Sequence, residues 1–135
     1  MGSTVSIEMN LLNHSSKKHG LELKRAMTYY HRNNWPWGRS TIINTHNGAA
    51  TVKVSIDRYE PNCADITSLS VVPKERHKGY GRELLQLAEQ EARNMGAGIV
   101  WLTAVDGEFT LGWYQREGYE IEKHYAKETL LKKKL

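Results

Sequence analysis

The sequence predicts a single-domain α/β (α+β) fold, in which helices flank a central mixed sheet that is mostly antiparallel. Three observations lead to this prediction. The 135 residues suit one domain with its own core, so we expect residues 1–135 to fold as one unit. An Asn-Gly dipeptide joins two β-prone runs in the first half of the chain. In the second half, short apolar runs alternate with amphipathic helical segments, which is the pattern of a sheet covered by helices.

The N-terminal half is predicted to contain a helix followed by a β-hairpin. Residues 5–11 fit either a short first strand or the lead into a helix. Apolar residues recur at roughly helical spacing from Lys17 to His31, which predicts a helix there. Asn47-Gly48 separates residues 40–45 from residues 50–57, and we expect these two runs to pair as antiparallel strands.

The C-terminal half is predicted to alternate strands with helices. Pro73 ends an apolar strand, because proline cannot donate a hydrogen bond to a sheet. The next segment places apolar residues at helical spacing, and the apolar run after it is typical of a strand covered on both faces. Asp106 is suited to cap a short second helix. The predicted elements are, in order, a strand at 64–72, a helix at 80–95, a strand at 99–104, a helix at 108–117 and closing strands at 119–122 and 129–134.

Composition narrows the class of protein. Hydrophobic residues make up 39% and charged residues 25% of the chain, which is ordinary for a soluble globular protein. No apolar run approaches the roughly 20 residues that span a bilayer, and no secretory signal is recognisable, so we expect a cytoplasmic protein without membrane association. Cys63 is the only cysteine, which excludes an intrachain disulfide and fits a reducing compartment. The six histidines lack metal-ligand spacing, and we expect no metal.

The chain is basic, with a formal net charge of +4. A positive charge favours an anionic partner, which is a nucleic acid, a membrane surface or an anionic cofactor. Much of the excess lies at Lys17-Lys18, at Lys24-Arg25 and in the C-terminal cluster Lys132–Lys134, and clusters at chain ends are commonly solvated. Charge alone therefore does not indicate a nucleic-acid partner, and we expect none.

The segment from Arg76 to Arg82 predicts an anion site between a strand and a helix. Backbone N–H groups at a helix N-terminus, together with the positive end of the helix dipole, favour an anion. Gly79 and Gly81 lack Cβ atoms, so a phosphate can approach the backbone closely, and the cationic side chains of the segment add charge. The sequence contains no P-loop, and Leu84 occupies the position of the third glycine of the dinucleotide-binding fingerprint. The pattern therefore suits a pyrophosphate held in another kind of turn.

The same segment carries a family resemblance. Arg76-x-x-Gly79-x-Gly81 resembles the Arg/Gln-x-x-Gly-x-Gly/Ala signature of the GNAT superfamily of acetyl-CoA-dependent N-acetyltransferases. Leu69–Pro73 is similar to that family's Leu-x-Val-x-Pro lead-in, and Trp113–Tyr119 is similar to its aromatic-Tyr-x-x-x-Gly-Phe/Tyr segment. The resemblance implies a GNAT-like fold, acetyl-CoA as cosubstrate, and transfer of the acetyl group to a primary amine of a small-molecule or protein acceptor. An alternative is a catalytically silent domain that binds acyl-CoA.

The resemblance also implies roles for individual residues in cofactor binding. The strand before the turn would bind the pantetheine arm through its backbone, and the Val71 N–H would donate to the oxyanion that develops during transfer. The implied pantetheine contacts are Leu69, Ser70 and Val71, and the implied pyrophosphate contacts are Arg76, His77, Lys78, Gly79, Tyr80, Gly81 and Arg82. Side-chain packing into the core is the competing role for Leu69 and Val71.

Amine acetylation requires a neutral amine, donors for the oxyanion and an acid for the leaving thiolate. The position of Tyr114 in the family segment implies that its phenol is the acid. Many relatives carry a glutamate near residues 67–68, where this sequence has no carboxylate. Asp65 is the nearest candidate for the base. The alternatives are Asp106, Glu108 or a chain of water molecules.

Aromatic residues are dense ahead of the hairpin, at Tyr29, Tyr30, His31, Trp35 and Trp37. Because aromatic faces attract cations, Trp35 and Trp37 either line an amine pocket or fill the core. The sequence does not identify the acceptor, and it leaves both a monomer and a homodimer open.

Overall fold

The computed structural model describes residues 3–11, 25–105 and 109–135, and it confirms the predicted α/β fold. The strands are β1 (Ser3–Leu11), β2 (Arg25–Trp35), β3 (Gly38–Thr45), β4 (Ala50–Asp57), β5 (Cys63–Val71), β6 (Ile99–Val105), β7 (Glu120–His124) and β8 (Glu128–Lys134). The helices of the described residues are α1 (Tyr80–Asn94), α2 (Thr110–Arg116) and a short 3₁₀ turn at Pro73–Glu75. The strands form one eight-stranded sheet in the order β1-β2-β3-β4-β5-β6-β8-β7.

The sheet is mostly antiparallel, as predicted. β1 to β5 pair in chain order, each antiparallel to the one before it. α1 connects β5 to β6, and the two strands pair in parallel. Parallel neighbours need such a crossover connection, which is commonly a helix. β6 and β7 both pair antiparallel with β8. The predicted hairpin is confirmed, because Thr45 pairs with Ala50 across the turn at His46–Ala49.

The helix predicted from Lys17 to His31 is wrong where the structure describes it. Residues 25–35 form β2, which pairs with β1 on one side and with β3 on the other. Residues 17–24 lie outside the described residues. The open alternative at residues 5–11 is settled in favour of a strand, since they lie within β1.

The physical reason for this error is visible in the burial of β2. Thr28 and Tyr30 are buried whereas Tyr29 and His31 are exposed, which is the two-residue alternation of a strand. Threonine and tyrosine also fit a pleated, half-buried surface well. Pairing with two neighbouring strands satisfies the backbone on both edges, and this tertiary gain outweighs the small energies of helix propensity.

Both described helices lie on one face of the sheet. α1 packs on β3, β4 and β5, and it buries an apolar stripe that includes Leu84, Leu85, Ala88 and Ala92. α2 packs on β6, and its Trp113 ring lies beside the first turn of α1, where a Cβ added to Gly81 would stand 3.7 Å from it. No helix within the described residues is long and apolar enough to cross a membrane.

A buried carboxylate connects α1 to β2 and β3. The side chain of Glu91 is 2% exposed, and it accepts hydrogen bonds from Arg32 at 2.8 and 3.0 Å and from the Thr41 hydroxyl at 2.6 Å. Burial alone would raise the pKa of Glu91, but these hydrogen bonds outweigh it and lower the pKa. The charged network therefore sets the position of α1 across the sheet.

A second buried carboxylate fastens α1 to the C-terminal strands. Glu89 accepts a hydrogen bond from the Tyr119 hydroxyl at 2.8 Å and pairs with the Lys133 ammonium at 3.2 Å. Lys133 also donates to the Glu117 carbonyl at the end of α2, at 2.9 Å. The orientation of α2 relative to α1 thus depends on this cluster.

Candidate active site

The site begins with a bulge in β5. Thr51 of β4 pairs with Ser70 and Lys53 pairs with Thr67, so two residues of β5 lie opposite one residue of β4. Ser68 lies in this bulge and has a φ of 56°, in the left-handed region that non-glycine residues seldom adopt. Such a bulge bends its strand and increases the local twist, and bulges are common beside active sites.

The bend opens a cleft between β5 and β6. Their parallel pairing covers only three residue pairs and ends at Asp65 and Trp101. β5 nevertheless continues to Val71 and β6 to Val105. Six residues of β5, about 20 Å of extended chain, therefore follow the last pair. The cleft is closed at Asp65 and open towards Val71, where this edge of β5 pairs with no other strand of the described residues.

The cleft edge of β5 offers backbone groups to such a ligand. The Val72 N–H donates to the Ala49 carbonyl at 2.8 Å, so Val72 faces the neighbouring hairpin. Successive peptide groups of an extended strand point to opposite edges, which directs the N–H of Val71 towards the cleft. The Val71 carbonyl accepts a hydrogen bond from the Arg76 Nε at 3.0 Å. Leu69 and Val71 pack their side chains against the core, whereas Ser70 is exposed.

At its open end the cleft runs into the predicted anion turn. Pro73–Glu75 forms a 3₁₀ turn, and the chain reverses through His77 with a φ of 65°. Gly79 has a φ of 82° and occupies the N-cap of α1, where no side chain caps the helix. The first N–H groups of α1 therefore lack a side-chain partner at the mouth of the cleft. This arrangement fits an anion, because the helix dipole and the free donors act together.

The cationic side chains of the turn are paired with groups of the protein itself. Lys78 lies 2.6 Å from Glu75, and Arg82 lies 3.2 Å from Glu117. The hydrogen bond between Lys78 and Glu75 lowers the pKa of the carboxyl and raises the pKa of the ammonium. All these residues lie near the surface, where ion pairs contribute little to stability. A bound phosphate can therefore replace the carboxylates at small cost.

Tyr114 lies on the α1 face of the sheet. It is 8% exposed and contacts the rings of Trp113 and Tyr119 edge-on, with centroid distances of 5.0 and 5.9 Å. Burial raises the pKa of the Tyr114 phenol. No hydrogen bond between described residues uses its hydroxyl. The group is thus a protonated donor across the neutral range.

Asp65 lies at the closed end of the cleft and on the opposite face from Tyr114. Its neighbours Ala64 and Ile66 face the core below α1, so the exposed Asp65 side chain points to the other face. Partial loss of solvent, followed by the nearby charges of Glu60 and Asp57, raises the pKa of Asp65. The structure therefore places the Asp65 carboxyl and the Tyr114 phenol on opposite faces of the sheet.

Other predicted site residues are placed as follows. Trp35 and Trp37 stack with a centroid distance of 5.7 Å on the β2–β3 turn, and Trp37 is 61% exposed, so the pair does not fill the core. Asp106 and Glu108 lie outside the described residues. Among the residues that the structure describes, no group of three or more His, Cys, Asp or Glu residues could hold a metal ion.

Sequence reasoning did not identify two residues that shape the site. Ser68 forms the bulge, and no residue type at that position predicts one. His46 lies in the β3–β4 turn against α1, where its ring stacks on Tyr80. The one indication in the sequence is that His46 precedes Asn47-Gly48. Because β4 and β5 are antiparallel, the β3–β4 turn lies at the end of the sheet where β5 leads into α1.

Comparisons with known proteins agree with this geometry. The sequence profile described as the Acetyltransferase (GNAT) family matches residues 11–119. An uncharacterized N-acetyltransferase of Chlorobaculum tepidum is 32% identical over 88 residues, which are 64% of this chain. The match covers 54% of that relative, so this chain spans about half of its length.

Solved structures share the fold. The PaiA N-acetyltransferase of Thermoplasma acidophilum, in complex with coenzyme A, has a TM-score of 0.64 at 19% identity, over 71% of this chain and 61% of that chain. A GNAT family acetyltransferase of Elizabethkingia anophelis with acetyl-CoA bound has a TM-score of 0.60 at 14% identity, over 97% of this chain and 98% of that chain. At these identities the likeness concerns the fold alone.

Proposed function

The chain belongs to the Acetyltransferase (GNAT) family, and from this premise we propose that it transfers the acetyl group of acetyl-CoA to a primary amine. The observation that carries the proposal is the cleft between β5 and β6, which leads directly into the basic turn before α1. A free strand edge suits the amide-bearing pantetheine arm, and the helix N-terminus suits the pyrophosphate. The free edge of β5 is followed by the turn and the N-terminus of α1, and in coenzyme A the pantetheine arm is likewise joined to the pyrophosphate.

The residues of the cleft supply what transfer requires. The Val71 N–H faces the cleft and would donate to the oxyanion that develops on the thioester carbonyl. The amine nitrogen forms a bond to the acetyl carbon as the carbon–sulfur bond breaks. Tyr114 would donate its phenolic proton to the departing sulfur, and its raised pKa keeps that proton in place until then.

The amine must lose a proton before or during its attack, and we propose that Asp65 takes it through intervening water molecules, because Asp65 lies six residues before Val71 in β5. Asp65 lies at the closed end of the cleft, and its raised pKa brings it nearer to neutral pH than an ordinary carboxyl. Its position on the face opposite Tyr114 lets the acceptor approach from one face while the thiol leaves towards the other. Glu108 and a water chain are the competing bases.

Titration calorimetry with acetyl-CoA tests the cofactor site. Gly81→Ala is the matched control, because the family signature allows alanine at this position and an added Cβ would stand at ordinary contact distances of 3.7 to 3.9 Å from Trp113 and Val71. Gly81→Glu would add bulk and a negative charge beside the pyrophosphate. We expect Gly81→Ala to bind like the wild type and Gly81→Glu to bind at least about a hundredfold more weakly. A folded wild-type protein that does not bind acetyl-CoA would contradict the proposal.

A catalytically silent acyl-CoA-binding domain is the second candidate. The observation that favours it is the bulge of β5, where Thr67 and Ser68 are exposed and neither carries a carboxylate. Thiol release from acetyl-CoA, measured against a panel of small-molecule and peptide amines, separates the two candidates. Turnover with any amine supports the transferase, whereas tight binding without turnover supports the silent domain.

A further inference from the structure

The β3–β4 turn lies directly against the predicted cofactor turn. Its first three residues, His46, Asn47 and Gly48, have φ values of 55°, 58° and 84°. Three consecutive left-handed residues are unusual, and holding a non-glycine residue there costs free energy that the surrounding structure must recover. Asparagine and glycine are common in such turns, but the histidine requires another explanation.

The side chain of His46 packs against the first turn of α1. Only 5% of the side chain is exposed. Its ring stacks on the ring of Tyr80 with a centroid distance of 3.5 Å and an interplanar angle of 13°. Its Nε2 lies 3.1 Å from a carboxylate oxygen of Glu83. A flat contact and a polar contact together determine both the position and the rotation of this helical turn.

The same β3–β4 turn also holds the other end of the cofactor turn. The Val72 N–H donates to the Ala49 carbonyl at 2.8 Å, immediately before Pro73. Residues 46–49 therefore contact the chain on both sides of the cofactor turn. Ala49 binds Val72 before the turn, and His46 contacts the first turn of α1 after it. The residues between these two anchors are the ones expected to contact the pyrophosphate.

We propose that His46 is a positioning residue for the pyrophosphate turn, acting through Tyr80 and Glu83 on the N-terminus of α1. The inference rests on the proposed function, because it assumes that this turn binds coenzyme A. His46 holds the first N–H groups of α1 in place before the ligand arrives. Pre-organised donors bind more tightly because no ordering cost is left to the binding step.

We expect His46 to affect the binding of only one part of coenzyme A. The contacts of His46 reach the helix N-terminus and not the closed end of the cleft. Loss of the ring should weaken binding of the nucleotide half of coenzyme A, which carries the pyrophosphate. Binding of the pantetheine half and the rate of the chemical step should not depend on it.

The test compares His46→Ala with Asn47→Ala. Both substitutions place alanine at nearly the same left-handed φ in the same turn, but the Asn47 side chain is exposed and His46 alone contacts α1. Calorimetry measures the Kd of each protein for coenzyme A and for adenosine 3′-phosphate 5′-diphosphate, and thermal unfolding measures stability. Thiol release gives kcat and KM with the acceptor found in the amine panel.

We expect His46→Ala to raise the Kd for both ligands and the KM for acetyl-CoA by about tenfold, which corresponds to about 1.4 kcal/mol, with kcat unchanged. Asn47→Ala should keep the wild-type Kd and lower the unfolding temperature less, because the Asn47 side chain is exposed whereas the His46 side chain is buried. Equal Kd values in the two variants, or a kcat that falls with the KM unchanged, would overturn this inference alone. A wild-type protein that binds neither ligand would overturn the proposed function and the inference with it.

Discussion

The two ends of β5 differ in charge and in construction. At the carboxyl end the chain continues into the basic turn, so the proposed anion site comes from one stretch of sequence and the helix that follows it. At the amino end Asp65 lies near Asp57 at the end of β4 and Glu60 in the connection between the strands. One end is positive and uses backbone donors, whereas the other is acidic and uses side chains.

We infer from this difference that binding and chemistry depend on different kinds of interaction. A phosphate is recognised by backbone geometry, which a local run of glycines and a helix start can supply. Proton transfer depends on pKa values, which are set by groups brought together from several elements. Substitutions at the carboxyl end should therefore change the affinity for acetyl-CoA, and substitutions at the acidic end should change the rate and its pH dependence.

The largest expected effect is that of Tyr114→Phe, which separates chemistry from binding. Without the phenolic proton the thiolate must leave unassisted, and we expect kcat to fall by about a hundredfold. The Kd for acetyl-CoA should stay unchanged, because the ring and its contacts remain. Since burial raises the pKa of Tyr114, the ratio of wild-type to variant rates should be constant from neutral to mildly alkaline pH. A variant with the wild-type kcat would exclude Tyr114 as the acid.

Asp65→Asn tests the acidic end directly. If Asp65 is the base, the rate near neutral pH should fall by about tenfold or more, and the acidic limb of the pH–rate profile should disappear. That limb arises because the carboxyl must be ionised to accept a proton. A variant that keeps both the rate and the limb would move the base to Glu108 or to water.

Glu60→Gln also tests the acidic end of β5, and we expect it to change the pH dependence of the rate less than Asp65→Asn does. The charge of Glu60 contributes to the raised pKa of Asp65, so its removal should lower that pKa. The acidic limb of the rate should then shift to lower pH, while the rate at neutral pH stays the same. A shift to higher pH, or no shift where Asp65→Asn abolishes the limb, would contradict this account.

The smallest expected effect is that of Glu75→Gln at the basic end. Glu75 competes with phosphate for Lys78, which it contacts at 2.6 Å. We expect a decrease of about threefold in the Kd for acetyl-CoA at low salt, as befits an exposed ion pair, and a smaller decrease at high salt. Glu128→Gln removes an equal charge from an exposed position of β8 and serves as the control. The same gain in both variants would attribute the effect to net charge alone.

Local sequence was sufficient for part of the fold. Asn47-Gly48 predicted the hairpin because its turn type demands left-handed residues. The apolar spacing after Gly79 predicted α1, since its buried stripe recurs at the helical period. The same reasoning was wrong for residues 25–31, where pairing with two other strands outweighed an apparent helical period.

Residues 76–82 were sufficient to predict the turn that we propose for the cofactor, because the conformation of a glycine-bearing turn and the start of a helix depend on residues only a few positions apart. Tertiary structure alone decided the bulge at Ser68, the cleft that it opens, the face on which Asp65 lies, and the contact of His46 with α1. These features depend on strand register and on burial, which are set by segments distant along the chain. The acidic environment of Asp65 exists only once the sheet has formed.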